Sequence, residues 1–455
     1  MEANMLILAV LFGYLLPLDS PMMENMDYLF IKGFLRYSLI KPYDITELMP
    51  QFDELVAGEY FYDRTDSRMI SRFNRLLVKR NDYTCLVQFN SNYDRETGSC
   101  FYFDEMMGGR IISNLSWNQA IRFRFAGEID SLGPNPWKDA AQAYLREGNL
   151  YLDTDRFKAL FGRRNYLLGP GDDYGLLLSP AKEGYDGLMI RIPAKYYEFY
   201  TLFSILDAFD RRYLSVHRLG LDLKNFTLGF SESILFTHDL EPLYLNFLLP
   251  YYLSQWGLDR DDNIMWNLDI GIRAFNTYCY GELLIDDYMY EDDPHPSKLA
   301  YQVGFRSLIA RSFLIKGNYG FVDKWVYTHE DAWNTYENNG MPLGFPLGND
   351  CDRLSGSVSF IHWLGITPSV MVNFTRQGEG SIYLPYETEG GNWNPPFPSG
   401  VVQKTLGVTF SAEYSVQGIV FVKAGVGKEF VTNQDHVPGN DTDDVTLNAS
   451  LWLVY

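Results

Sequence analysis

From about Tyr83 to the C-terminus, apolar and polar residues alternate with the period of two that a β-strand produces. The last segment shows this most clearly: its apolar positions are Val445, Leu447, Ala449, Leu451, Leu453 and Tyr455, with Thr446, Asn448 and Ser450 between them. Similar segments cover 121–125, 366–374, 405–414 and 420–427. The pattern predicts an all-β unit over 83–455 whose strands each have one apolar and one polar face.

The links between these strands indicate which all-β fold the chain adopts. Counted back from the C-terminus, long links at 430–444, 375–403 and 328–353 alternate with tight ones at 415–418, 363–365 and 316–318. Outer-membrane barrels have this arrangement, because their periplasmic turns are short and their extracellular loops are long. We therefore predict an all-β membrane protein, integral to the bacterial outer membrane: a large antiparallel transmembrane barrel of about 16–18 strands.

Residues 1–82 follow a different pattern. The apolar stretch from Met5 to Leu18 is too short for a membrane-spanning helix and predicts a signal peptide over 1–18, although no Lys or Arg precedes Lys32. Beyond it, Ser20 and Pro21 form a helix-start signal, and 46–56 and 67–79 are further helical candidates. The segment 19–82 is thus predicted to be a small periplasmic helical bundle.

Composition and charge narrow the possible ligands. The net charge of −20 excludes nucleic acid as a partner, because its phosphates would be repelled. No CxxC or HExxH motif occurs, so we expect neither a metal nor another cofactor. Cys85 and Cys100 could form a disulfide in an oxidising periplasm, which the sequence leaves open. The many aromatic residues suit a β-rich core, interfacial girdles or a carbohydrate-binding surface.

Several internal segments are more specific than generic barrel sequence. They are Gly162-Arg-Arg-Asn-Tyr-Leu-Leu-Gly-Pro-Gly171, Gly175-Leu-Leu-Leu-Ser179, Arg212-Tyr-Leu-Ser-Val-His-Arg218, Asn225-Phe-Thr-Leu-Gly-Phe-Ser-Glu-Ser233, Tyr280-Gly-Glu-Leu-Leu-Ile-Asp-Asp287 and Pro342-Leu-Gly-Phe-Pro-Leu-Gly-Asn-Asp350. With Asp19-Ser-Pro, Asp27-Tyr-Leu and Lys32-Gly33 near the start, they resemble the capsule-assembly (Wzi-like) family of outer-membrane proteins. The resemblance runs from about Leu18 to the C-terminus.

The resemblance implies a barrel of eighteen strands with a helical bundle at its periplasmic end. It also implies non-catalytic binding or anchoring of capsular polysaccharide or another exopolysaccharide at the cell surface. The partners would be that polysaccharide, outer-membrane lipid and envelope export or assembly proteins. The alternatives are a porin that passes small solutes or sugars and, less favoured, a barrel-borne hydrolase.

Strand parity selects the first candidate binding residues. Tyr280 and Glu282 are expected to face the lumen, with Asp286 and Asp287 at the outer rim of the same strand. Carboxylates there could serve as a solvated acidic rim, bind a cation or glycan, or act as glycosidase acids. We assign them no catalytic role. His217 with Glu232 suggests a triad, but no GxSxG elbow surrounds a serine, and the hydrolase is rejected.

The remaining candidates are an arginine pair and a set of aromatic residues. Arg163 and Arg164, beside the Gly-Pro-Gly turn expected at the barrel mouth, could bind acidic sugars or neutralise lumen carboxylates such as Glu128 or Glu282. Aromatic residues in outer loops could pack there or stack on sugars; the candidates are Trp333, Tyr383, Tyr386 and Trp393.

Overall fold

In the computed structural model, eighteen antiparallel strands form a closed barrel, which confirms the predicted fold class. The structure describes residues 15–16, 23–36, 39–41, 43–44, 48, 51–52, 54–55, 65–70, 83–94, 98–126, 141–181, 184–289, 295–361, 365–386, 393–416 and 420–454. Each barrel strand pairs with its neighbours in the chain, and the last strand closes the barrel on the first through pairs such as Leu447 with Tyr93.

The barrel strands are numbered here in chain order. The first nine are β1 (Tyr83–Asp94), β2 (Gly98–Ile112), β3 (Leu115–Ala126), β4 (Gln142–Asp153), β5 (Lys158–Arg164), β6 (Tyr185–Pro193), β7 (Tyr197–Asp207), β8 (Arg212–Leu223) and β9 (Phe226–Thr237). The others are β10 (Asn263–Ala274), β11 (Thr277–Asp287), β12 (Lys298–Ile309), β13 (Phe313–Val322), β14 (Cys351–Phe360), β15 (Ile366–Gln377), β16 (Gln403–Val416), β17 (Val420–Thr432) and β18 (Thr442–Val454).

The wall of the barrel is apolar outside and polar inside. On β10, Leu268 and Ile270 are exposed on the outer face, whereas Asn267 and Asp269, which alternate with them, are completely buried. Closure pairs the backbone groups of every strand, which a lipid-exposed sheet requires because hydrocarbon offers no hydrogen bonds. A closed barrel with an apolar exterior is an integral outer-membrane protein. Among the described residues, no helix is both long and apolar enough to cross a membrane.

One predicted turn is wrong. The segment 316–318 lies inside β13, and the turn is at 310–312, where Ala310 and Arg311 both have positive φ. Glycine and asparagine are common in turns, but those in 316–320 lie within a strand. Gly320 has a packing role there. A Cβ on Gly320 would lie 2.4 Å from the hydroxyl of Tyr174, which fills the lumen beside this strand.

The other links agree with the prediction in the second half of the barrel, with long links at 323–350, 378–402 and 433–441. The alternation is less strict in the first half. The links 95–97 and 208–211 are short, although they lie at the end of the barrel that carries the long loops. Cys85 lies opposite Met107 and Cys100 opposite Asn92, so Cys100 is a free thiol and the disulfide does not form.

The N-terminal segment enters the short-turn end of the barrel. Helix α1 (Met23–Ile31) packs with Leu35 against lumen residues near that end, among them Tyr278, Leu308 and Leu314. Helical residues also occur at 48, 51–52, 54–55 and 65–70. The rest of the predicted helices, Glu128 and Tyr455 lie outside the described residues. Of residues 1–18 only Leu15 and Leu16 are described, so the signal peptide stays a prediction.

Candidate functional site

Two long links from the long-loop end fold back into the lumen. The first, 165–184, is buried almost throughout its described part, from Asn165 to Ser179. The second, 323–350, covers it: the Tyr327 hydroxyl donates to Leu176 O at 2.6 Å, and the Ser179 N–H donates to Leu343 O at 2.7 Å. We call these two links together the plug.

The Gly-Pro-Gly motif therefore lies in the lumen and not at the mouth, which corrects the expectation. A Cβ on Gly171 would be 2.1 Å from Tyr174 O, and one on Gly175 would be 2.1 Å from Leu168 O. The backbone folds on itself more tightly there than any side chain allows. Glycine is needed at these positions because the chain must double back inside a closed wall.

Tyr280 and Glu282 face the lumen, as strand parity predicted, and Glu282 holds the plug. The Glu282 carboxylate accepts from the Leu176 N–H at 3.0 Å and from the Gln302 side-chain amide. The Tyr280 hydroxyl accepts from Asn318 Nδ2 at 3.0 Å. Both side chains are buried, so their contacts are structural ones to the plug and the wall.

Below the plug, a cluster of charges joins it to the N-terminal segment. Arg306 Nη2 lies 2.5 Å from Asp172 Oδ1, and Arg306 Nη1 lies 3.7 Å from Asp27 Oδ1. Lys316 pairs with both carboxylates. Lys41 donates to Gly171 O, and burial, together with Arg306, lowers the pKa of Lys41 to about 8. Residues from both ends of the barrel thus meet on one set of wall cations.

The arginine pair is divided between the two faces of the wall. Arg164 points inward and pairs with Glu147, with 2.6 Å between Nη1 and Oε2. Arg163 points outward and binds Asp186 of β6 through two hydrogen bonds. Both arginines pair with carboxylates, but the partners are Glu147 and Asp186 and not Glu282, and Asp186 lies outside the lumen. The structure does not bring the pair together at the mouth.

The two rim aspartates are also engaged within the protein. Asp286 Oδ2 accepts from the Tyr327 N–H at 2.5 Å and so fixes the start of the second plug link. Asp287 lies opposite Lys298 on β12. Within the described ranges no group of three or more His, Cys, Asp or Glu side chains could hold a metal ion.

Tyr386 and Trp393 meet at the mouth in an aromatic cluster with His295 and Trp325. The His295 ring centroid is 4.4 Å from that of Tyr386 and 4.4 Å from that of Trp393. Trp325 Nε1 donates to Trp393 O at 2.9 Å, and Lys298 Nζ lies 4.9 Å from the Tyr386 ring centroid. Trp393 is half-buried, whereas Tyr386 is buried, so Trp393 is the more accessible of the two.

Trp333 and Tyr383 are the more exposed candidates, at 48% and 53%. The Trp333 carbonyl accepts from Arg212 Nε at 3.0 Å, and Arg212 also pairs with Glu337. Burial and the Glu337 carboxylate raise the pKa of the Tyr383 hydroxyl, while Arg212 lowers it, so Tyr383 shares this neighbourhood. The mouth thus carries two aromatic patches, each with a cation beside it.

Sequence reasoning missed His295 and Lys298, which complete the first patch with Trp325, and Arg212, which organises the second. Lys298 and Arg212 are inward-facing cations at the long-loop ends of their strands, a signal that parity could have given. His295 and Trp325 lie in loops, where no periodic signal exists. Loop tertiary structure alone places these two rings against Tyr386 and Trp393.

The lumen is not filled evenly. Beside the plug lies a cavity of about 460 Å³ whose wall comes from β13 to β18 and β1. Most of its lining side chains are small hydroxyls and amides, including Ser355, Ser357, Ser369, Thr409, Ser411, Asn448, Ser450, Asn90 and Asn92. Asp172, Asp173 and Lys316 border it on the plug side. Such a surface retains water and suits polar solutes.

These features define a class: an integral outer-membrane barrel with an inward-folded plug and an aromatic mouth. Among solved structures it is similar to Wzi, an outer-membrane protein involved in group 1 capsule assembly in Escherichia coli and described as a carbohydrate-binding β-barrel. That alignment has a TM-score of 0.69 and 14% identity and covers 98% of this chain and 100% of that one. The resemblance found in the sequence is thereby confirmed at the level of the fold.

Other outer-membrane proteins align less well. OccD3 (OpdP) of Pseudomonas aeruginosa has a TM-score of 0.49 with 10% identity and covers 82% of this chain and 91% of its own. OprD of the same organism has a TM-score of 0.48 with 8% identity, over 82% and 95%. No protein-family model and no curated protein sequence matches the chain.

Proposed function

We propose that this barrel binds or anchors capsular polysaccharide or another exopolysaccharide at the cell surface, without catalysis. The observation that carries the proposal is the mouth, where two aromatic patches with adjacent cations lie over a plugged lumen. Aromatic faces stack on the apolar faces of sugar rings, and Trp333, Tyr383 and the half-buried Trp393 are accessible for such stacking. Lys298 and Arg212 are buried and bonded within the protein, so they position the patches. The carbohydrate binding attributed to the similar Escherichia coli barrel supports the same reading.

The hydrogen bonds of the lumen carboxylates also argue against a catalytic role. Glu282 and Asp286, the best-placed carboxylates, already accept hydrogen bonds from plug backbone. A glycosidase needs two carboxyl groups facing one enclosed sugar, about 5–10 Å apart. Glu282→Gln should therefore leave any glycan uncleaved, as in the parent protein. Glycan cleavage by the purified protein that is lost in Glu282→Gln would overturn the non-enzyme proposal.

The test replaces the accessible tryptophan of each patch. Trp333→Ala with Trp393→Ala should release surface polysaccharide into the medium, because each stacking or charge-assisted contact contributes about 1–3 kcal/mol to binding. Tyr414→Ala is the matched control, since Tyr414 is an exposed aromatic on the lipid-facing side of β16. Cell-bound and released polysaccharide, with heat-modifiable barrel as the assembly readout, are measured in parallel.

Retention of normal polysaccharide by the assembled double variant would contradict the proposed site. Binding of a glycan array by purified protein and by the double variant then decides whether the glycan is held elsewhere. It also identifies the glycan, which the sequence does not specify.

The polar cavity favours a second candidate function, passage of small hydrophilic solutes along the unplugged side of the lumen. Its hydroxyl and amide lining resembles what a water-filled channel requires. Planar-bilayer conductance distinguishes the two functions. Steady single-channel current in the parent protein supports the pore, and its absence supports the closed, binding barrel.

A further inference from the structure

The outer face of β9 changes its surroundings halfway along the strand. Leu228 and Phe230 are exposed at 37% and 47%, as lipid-facing residues are in an isolated barrel. Ile234 and Phe236 continue the same face by parity, yet they are completely buried. Something other than lipid therefore covers the wall near the long-loop end.

The cover is the link 238–262, which folds down over the outside of the barrel. Tyr244 and Tyr251 form a core with Ile234 and Phe236, and the Phe236 and Tyr244 ring centroids are 5.0 Å apart. The link contains helix α2 (Tyr251–Leu258), which follows Pro250 and has no side-chain cap of its own. This link is thus not a free surface loop.

A wall carboxylate fastens the start of α2. Glu232 accepts from the Tyr251 N–H at 2.8 Å, the Tyr252 N–H at 3.0 Å and Trp266 Nε1 at 3.0 Å. His217 Nε2 lies 3.1 Å from the same carboxylate. Glu232 and His217 are polar residues on the lipid-facing side of the wall, and α2 shields them. This explains why two polar residues occur where parity demands apolar ones.

The opposite face of this link is strongly apolar. Leu248, Leu253 and Trp256 are 75%, 60% and 76% exposed. The Tyr252 ring meets Trp266 of β10 edge-on, at 5.4 Å between centroids. Leu268, Ile270 and Ile272 continue the outer face of that strand toward the short-turn end. The exposed face of α2 is therefore continuous with the lipid-facing belt of the barrel.

We propose that α2 lies within the outer leaflet and that Leu248, Leu253 and Trp256 contact lipid acyl chains. Continuity with the lipid-facing belt favours acyl chains over water, where three large apolar side chains would stay unshielded. The same continuity favours lipid over a partner protein, because the belt is already a lipid contact. The proposal does not depend on the glycan-binding function.

Quenching by brominated lipid tests the position of α2. The full chain is reconstituted into phosphatidylcholine vesicles with and without bromine on the acyl chains, and tryptophan emission is compared with that of Trp256→Phe. The variant should lose a component of emission that bromolipid quenches and aqueous iodide does not. Trp333→Phe is the control, and it should remove a component that iodide quenches.

Two results would overturn the proposal. Quenching of the Trp256 component by iodide and not by bromolipid would place α2 in water. Protection from both quenchers, with cross-linking of two chains through Leu253→Cys, would show that a second copy covers the helix. Trp256→Phe keeps a large ring at an exposed position, so barrel assembly is expected to be unchanged.

Discussion

The two sides of the lumen differ more than the two faces of the wall. Along β5 to β13 the inward residues include Leu160, Tyr200, Leu214, Leu235 and Leu284, buried against the plug. Along β14 to β18 and β1 the inward residues are mainly Ser, Thr, Asn and Gly beside a cavity. The outer face is apolar on both sides, except where α2 covers Glu232 and His217. Lipid therefore determines most of the outer face, whereas the inner face follows whatever fills the lumen, protein or water.

The largest expected difference in stability between the two sides of the lumen comes from removing a cation of the barrel wall. Arg306→Ala removes the closest partner of the Asp172 carboxylate and the more distant of two cations beside Asp27, and breaking a buried pair in this way costs about 3–5 kcal/mol. Lys423→Ala on the cavity side, where the lysine is exposed, should change the free energy of unfolding by less than about 0.5 kcal/mol. Urea unfolding in detergent measures both. Equal losses would show that the charge cluster does not hold the plug.

Adding a methyl group to a glycine on each side of the lumen should give a smaller difference in the free energy of unfolding. In Gly175→Ala the new Cβ would meet Leu168 O at 2.1 Å, so the plug must shift at a cost of about 1–3 kcal/mol. In Gly407→Ala on β16 the nearest atom is 3.5 Å away, and the free energy of unfolding should stay the same or rise slightly. Unfolding midpoints with unchanged m-values test the pair. A Gly407→Ala variant as unstable as Gly175→Ala would argue that both sides are equally filled.

The smallest expected effect is a change in the melting temperature with pH. Although burial disfavours its charge, Arg306 and Lys316 hold the pKa of Asp172 below its ordinary value of 3.8. A lowered carboxyl pKa stabilises the folded state above the ordinary value, and this stabilisation is lost as the pH falls below it. The melting temperature of the parent protein should exceed that of Asp172→Asn at pH 7, with the gap narrowing toward pH 3. A gap independent of pH would mean that the Asp172 charge contributes nothing.

The same contrast between the two sides of the lumen explains which strands could be predicted from the sequence. Its clearest alternation falls in β3 and β15 to β18, where one face meets lipid and the other is mostly small and polar. In β9, Leu235 faces the plug while Ile234 and Phe236 face α2, so apolar residues run consecutively and the period of two disappears. On β5, Leu160 faces the plug and Phe161 faces outward, so no period of two marks the register of Arg163 and Arg164. The glycines of their motif predicted a turn at the barrel mouth, whereas in the structure they allow a tight turn inside the lumen.

The sequence by itself determined the closed all-β barrel, the lumen-facing orientation of Tyr280 and Glu282, and the existence of long loops. These follow from local rules, because the bilayer imposes a period of two on each strand whose inner face is small and polar. Only the tertiary structure decided where the loops go: 165–184 and 323–350 into the lumen, 238–262 onto the outer wall, and His295 and Trp325 against Tyr386 and Trp393. Contacts between segments far apart in the chain have no period, and they form only once the wall gives each loop a surface to cover.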